Sequence, residues 1–250
     1  MTETTSKKLP IAVLISGTGR SLNNLINLIN QGKLDCEIKL VIASTKSAPG
    51  IQYAEKAMIP IEVIERSYYE SSEGFSEAVF QECGLAGAEL VVLAGYLKLL
   101  HVPERYRNKV VNIHPSLVPS FSGKGFYGHK VHDAALEHGV RVTGCTVHFV
   151  DNDYDRGPVI LQRIVPVYDT DDTQTLNDRV FYDAECKAYP EAIQLLAEGR
   201  IQVEGRKVRI LPPTDSSRPR EEGVFDGQPS SSEPQSYGPN TEDELPRQFG

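Results

Sequence analysis

Between residues 9 and 113, short apolar runs alternate with segments of helical period, and this alternation constrains the fold more than any other feature of the chain. Residues 9–16, 39–43, 61–64, 90–94 and 109–113 have strand length and are apolar at successive positions, the pattern of strands covered on both faces. Helical spacing predicts helices over 22–31, 51–57 and 72–83, with Leu22, Leu25, Ile26, Leu28 and Ile29 marking one face of the first. Strand and helix in strict turn imply an α/β fold, a doubly wound and mostly parallel sheet with right-handed crossovers. After Gly123 the pattern changes. A helix is predicted over 131–137, then two adjacent strands, 141–150 and 159–167. A long helical stretch, 173–197, should break near Pro190. A terminal hairpin is predicted over 201–203 and 208–210, around Glu204-Gly205.

The chemistry concentrates after the fifth strand. Asn112 and His114 sit two apart, so on an extended strand end both point to one side. Pro115 and Pro119 then enforce a rigid loop. In open α/β sheets, ligands and reacting groups gather at the carboxyl ends of strands. An Asn can donate to a developing oxyanion, and a His titrates near neutral pH. A second stretch, residues 144–150, alternates like a strand and leads into Asp151, Asn152, Asp153, Tyr154, Asp155, Arg156, Gly157 and Pro158. Three carboxylates in five residues repel one another unless solvent, a cation or an imidazolium compensates. One of them, held by the Gly157-Pro158 turn, is expected to pair with His114 and raise its pKa. Near the first strand, Gly17-Thr18-Gly19-Arg20-Ser21 forms a strand-to-helix turn whose free N–H groups suit a phosphate. Leu22 stands where a dinucleotide fingerprint needs glycine, and no acid ends the second strand, so a nicotinamide cofactor is not expected. His129 and His132 share a helical face without a third ligand at fixed spacing, so no metal is expected either. The glycines of residues 123–129 suggest a flap near His114.

Charge separates a core from a tail. The formal net charge is −8, and residues 213–250 hold eight acidic side chains against three basic ones. That tail is rich in Pro, Ser and Gly and is expected to be disordered. Residues 1–10 read as a polar extension before a domain over 11–212. The acidic balance disfavours nucleic acid as a partner. No apolar run is long enough for a membrane span, and no signal segment is read at the start. Cys36, Cys83, Cys145 and Cys186 lie far apart, which suits a reducing, cytoplasmic setting.

The two stretches spelled NIHPSLVPSFSG and GCTVHFVDNDYDRGPVILQ together resemble the folate-dependent formyltransferases, over residues 11 to 203. The resemblance implies transfer of a formyl group from 10-formyltetrahydrofolate to the amine of 5-phosphoribosylglycinamide, in purine biosynthesis. It implies that Asn112, His114 and Asp155 are the catalytic group. It places the ribonucleotide and its phosphate at Gly17, Gly19, Arg20, Ser21, Leu22 and Glu185. It places the folate at Leu97, Lys98, Leu99 and Leu100, with Asn112 and the segment Asp151, Asn152, Asp153, Tyr154 and Asp155. The phosphate turn departs from the family's Gly-Ser-Asn-Leu, reading Gly19-Arg20-Ser21-Leu22 instead. The alternatives within the family are a formyltetrahydrofolate hydrolase, which would carry a further N-terminal domain, and a formyltransferase acting on tRNA, which would carry a basic C-terminal one. The sequence leaves the oligomeric state open.

Overall fold

The computed structural model describes residues 8–213. The expected tail, from residue 214 on, and residues 1–7 lie outside the described residues.

Strands β1 (Leu9–Ile15), β2 (Cys36–Ala43), β3 (Ile61–Val63), β4 (Leu90–Leu93) and β5 (Val110–His114) form the parallel part of a seven-stranded sheet. The strands β6 (Val142–Phe149) and β7 (Val159–Pro166) add to it antiparallel, giving the order β3-β2-β1-β4-β5-β6-β7. The continuous apolar runs have a direct cause. In β1, Ile11, Val13 and Ile15 point into one core, while Ala12 and Leu14 point into the other. The helices α1 (Arg20–Asn30), α2 (Ile51–Lys56) and α4 (His129–Glu137) contribute to the first core. Helix α3 (Ser72–Leu85) fills the second with Phe75, Val79, Phe80 and Cys83.

The chain runs outward from β1 to β3, returns to β4, and then runs outward the other way. Strand order therefore reverses between β1 and β4, and a crevice opens there at the carboxyl ends of the strands. Ser16 bridges it. Its N–H donates to the Gly95 carbonyl over 3.2 Å, and its Oγ accepts from the Leu97 N–H over 2.9 Å.

One expectation is corrected. The helical stretch does not break at Pro190. It runs as α5 (Thr173–Arg179), a π-helical turn (Val180–Glu185) and α6 (Cys186–Ala197), and Pro190 lies inside α6. Proline removes the N–H that would bond to the Cys186 carbonyl. Asn24 of α1 supplies the missing donor, its Nδ2 lying 3.1 Å from that oxygen. The chain then ends its described part in the expected hairpin, β8 (Ile201–Glu204) and β9 (Lys207–Ile210).

Candidate active site

Strand β5 ends at the crevice, and its alternation turns Asn112 and His114 the same way. The antiparallel register sets His148 of β6 opposite Asn112, and Thr146 opposite His114. Beyond β6 the acidic loop folds back sharply. A side chain at Gly157 would collide with the Phe149 carbonyl, so only glycine permits this return. The return carries Asp155 over the strand ends with φ of 54°, a left-handed conformation that aspartate tolerates.

Asp155 is the hub. Its Oδ2 lies 3.5 Å from His114 Nδ1 and accepts from the Gly123 N–H over 2.8 Å. Its Oδ1 lies 3.5 Å from His148 Nε2. Asn112 Nδ2 stands 3.3 Å from that same Nε2. The carbonyls facing the rings assign the protons. His148 Nδ1 is 2.8 Å from the Phe149 oxygen and His114 Nε2 is 2.9 Å from the Phe121 oxygen, so each of these nitrogens donates. A neutral His114 therefore presents the Nδ1 lone pair towards Asp155, and a protonated one presents an N–H.

Electrostatics corrects the sequence reading here. His114 does pair with a carboxylate, but its pKa lies below the usual histidine value. Burial lowers it and outweighs the Asp155 charge and the Phe121 carbonyl, both of which raise it. Burial pushes Asp155 the other way, upward. The contact with His148, the charge of His114 and the Gly123 N–H outweigh burial, and Asp155 ends below the usual carboxylate value. Near neutral pH the cluster thus holds an anionic Asp155 beside a neutral His114. The loop carrying these groups is fastened from below. Thr146 Oγ1 donates to the Ser116 carbonyl and accepts from the Val118 N–H, and Gln162 donates to the Val118 carbonyl.

The two ends of the crevice differ in character. At one end Gly19 starts α1 with φ of 72° and no capping side chain, so the first-turn N–H groups of α1 lack a side-chain cap. Gly19 also has a packing reason to be glycine, since an added Cβ would stand 2.6 Å from Gly50 Cα. Gly17 has open space around it, and Leu22 is buried in the core, so only its backbone faces this end. The Arg20 guanidinium is not free: Nη2 is 3.0 Å from Asp178 Oδ1. Glu185, at the end of the π-helical turn, lines a small cavity with Ser21, Asn24 and Tyr189. Burial pushes its pKa up to about 7, against a lowering by the Arg20 charge.

At the other end Leu97 and Lys98 are exposed and Leu99 half-buried, while Leu100 packs into the second core. The acidic loop is tied to this segment, because the Val102 N–H donates to Asn152 Oδ1 over 2.8 Å. Asp151 Oδ1 accepts from the Asp153 N–H over 3.0 Å, while Asp153 and Tyr154 are exposed. His132 is buried on α4 with Nδ1 unpartnered, and no third metal-ligating side chain joins His129 and His132 among the described residues. A concavity of about 740 Å³ beside Leu9, Leu90 and Lys109 lies at the strands' opposite ends, away from all these groups.

A family model described as formyl transferase matches residues 9–193. The chain belongs to the formyl transferase family. It is 44% identical over 200 residues to the trifunctional purine biosynthetic protein adenosine-3 of Gallus gallus, covering 79% of this chain and 19% of that protein. It is 36% identical over 199 residues to the chloroplastic phosphoribosylglycinamide formyltransferase of Arabidopsis thaliana, covering 78% and 68%. The crystal structure of glycinamide ribonucleotide transformylase 1 from Symbiobacterium toebii superposes with a TM-score of 0.77 at 39% identity, covering 82% of this chain and 95% of that one. The chain thus spans about a fifth of the trifunctional relatives it matches.

One member of the cluster lies outside the Asn112, His114 and Asp155 set, and it is His148. It reads as an inward strand residue, but the β5–β6 register makes it a second imidazole on Asp155 and a partner of Asn112. Strand alternation turns His148 inward and the resemblance to the family sets a histidine close to the site; the register adds which groups it meets. The Phe121 carbonyl and the Gly123 N–H, both backbone groups, leave no side-chain signal in the sequence at all.

Proposed function

We propose that the chain transfers the formyl group of 10-formyltetrahydrofolate to the amine of 5-phosphoribosylglycinamide, a step of purine biosynthesis. The observation that carries this reading is the Asn112–His114–Asp155 cluster, standing between an uncapped helix start and the partly exposed Leu97–Leu99 segment. The turn of Gly17, Gly19 and Ser21 offers backbone N–H groups to the phosphate. Glu185 faces the ribose end. Leu97, Lys98 and Leu99 with the 151–155 loop offer the flat folate ring apolar contact and edge hydrogen bonds.

The reaction balances within this cluster. The glycinamide nitrogen attacks the formyl carbon, and the carbonyl oxygen becomes an oxyanion that the Asn112 amide stabilises by donation. His114, neutral through burial, takes the proton that the nitrogen releases. The imidazolium gains Asp155 as the partner of its new Nδ1–H. It returns the proton to N10 of the folate as the bond from N10 to the formyl carbon breaks. The four unpaired cysteines support a reducing, cytoplasmic setting.

The test is consumption of 10-formyltetrahydrofolate with and without glycinamide ribonucleotide. We expect consumption that depends on the ribonucleotide and yields its formylated product. Equal consumption without any amine would instead identify a formyltetrahydrofolate hydrolase and overturn the assignment.

A further inference from the structure

Helix α1 brackets the π-helical turn with two contacts one helical turn apart, the first reaching the end of α5 and the rings of the turn itself, the second the first residue of α6. At the first, Arg20 Nη2 meets Asp178 Oδ1 at 3.0 Å, and its guanidinium carbon lies 3.7 Å from the Phe181 ring centroid and 5.3 Å from that of Tyr182. At the second, Asn24 donates to the Cys186 carbonyl. Glu185 lies between these contacts, in the small cavity closed by Ser21, Leu25, Phe181 and Tyr189. A π-helical turn is wide and poorly bonded, so its geometry depends on what packs against it. A guanidinium suits that task. It is planar, it pairs with a carboxylate in fixed geometry, and it stacks on aromatic faces.

The geometry points to Arg20 as a positioning residue for substrate specificity. It clamps the Phe181–Glu185 turn onto the start of α1 and so fixes the distance between the Glu185 carboxylate and the Gly17–Ser21 turn. That distance is the gauge for a ribose carrying a phosphate, so the inference rests on the reading that this end takes the ribonucleotide. Arg20 is not the phosphate ligand here. Reaching a phosphate would cost it both the Asp178 pair and the Phe181 stack, whereas the N–H groups of the turn are already free of side-chain caps.

The two roles give opposite signs when Asp178 is changed. In a clamp, Asp178→Asn loosens the turn and raises KM for the ribonucleotide. If Arg20 were a phosphate ligand held off by Asp178, the same change would release it and lower that KM. We expect Arg20→Ala to raise the ribonucleotide KM about tenfold, the scale of one partly exposed charge-assisted contact. Asp178→Asn should move it in the same direction, and Arg20→Lys should recover part of the loss. In each variant kcat and the folate KM should stay within about twofold, a split that general loosening of the fold would not give. The Arg20→Ala penalty should persist on glycinamide riboside, which has no phosphate. A lowered KM in Asp178→Asn, or a penalty that vanishes with the riboside, overturns the clamp. Unchanged KM values in both variants of an active enzyme also overturn it, while an inactive wild-type protein overturns the ribonucleotide reading instead.

Discussion

Asp155 serves two imidazoles with one carboxylate, and its removal should be felt by both. In Asp155→Asn the imidazolium of His114 loses its countercharge at the moment it forms. We expect kcat to fall on the order of 100-fold or more, with folate binding much less affected. The direction of the pH effect follows from the shifts. Burial already holds His114 below the usual histidine value, and Asp155 is the main influence raising it. Without that charge, the His114 titration should move further to acid. Proton NMR of the imidazole resonances reads this directly, and a titration that stays put or moves to alkaline pH rejects the pairing. At this scale the sequence was legible where chemistry followed local order. Asn112 and His114 share a side of a strand end because of period two alone. The sign of the His114 shift was not legible, because it depends on burial by loops that arrive from elsewhere in the chain.

Element by element, the strands and most helices could be read because each buries an apolar face of fixed period. The exception is instructive. Pro190 marks a break in a helix considered alone, yet α6 continues through it. The lost hydrogen bond is replaced by Asn24, 162 residues distant in sequence, and no local pattern shows such a donor. The irregularity falls earlier, in the π-helical turn that ends at Glu185. This account makes Asn24 structural. Asn24→Ala should orphan the Cys186 carbonyl and cost about 1 kcal/mol. For a domain of this size that lowers the melting temperature by roughly 2–4 °C. A variant melting with the wild type would mean that water replaces the amide and that α6 tolerates Pro190 unaided.

Across the whole molecule, buried titratable groups pull stability in opposite directions. Burial lowers His132 to about 4, so the unfolded chain binds its proton more tightly, and stability is lost as pH falls from about 6.5 to 4. Glu185 behaves in reverse. Its carboxyl, pushed up to about 7 by burial, holds its proton more tightly in the folded chain than in the unfolded one. Stability is therefore lost as pH rises from about 4.5 to 7, and the two slopes offset each other over the interval they share. Glu185→Gln mimics the protonated acid at every pH and removes only the second slope. The variant should melt with the wild type near pH 4.5 and above it at pH 8. The gain there is at most about 3 kcal/mol, since a full shift is worth about 1.4 kcal/mol per unit and Glu185 is only half-buried. On the proposed reading, in which the Glu185 carboxylate accepts from the ribose hydroxyls, the same substitution should raise KM for glycinamide ribonucleotide, because an amide offers one acceptor oxygen instead of two. A site that keeps a carboxyl at the cost of stability is expected where that group binds substrate. Thermal melts at the two pH values decide the matter: an equal difference at both would show that Glu185 carries no buried charge.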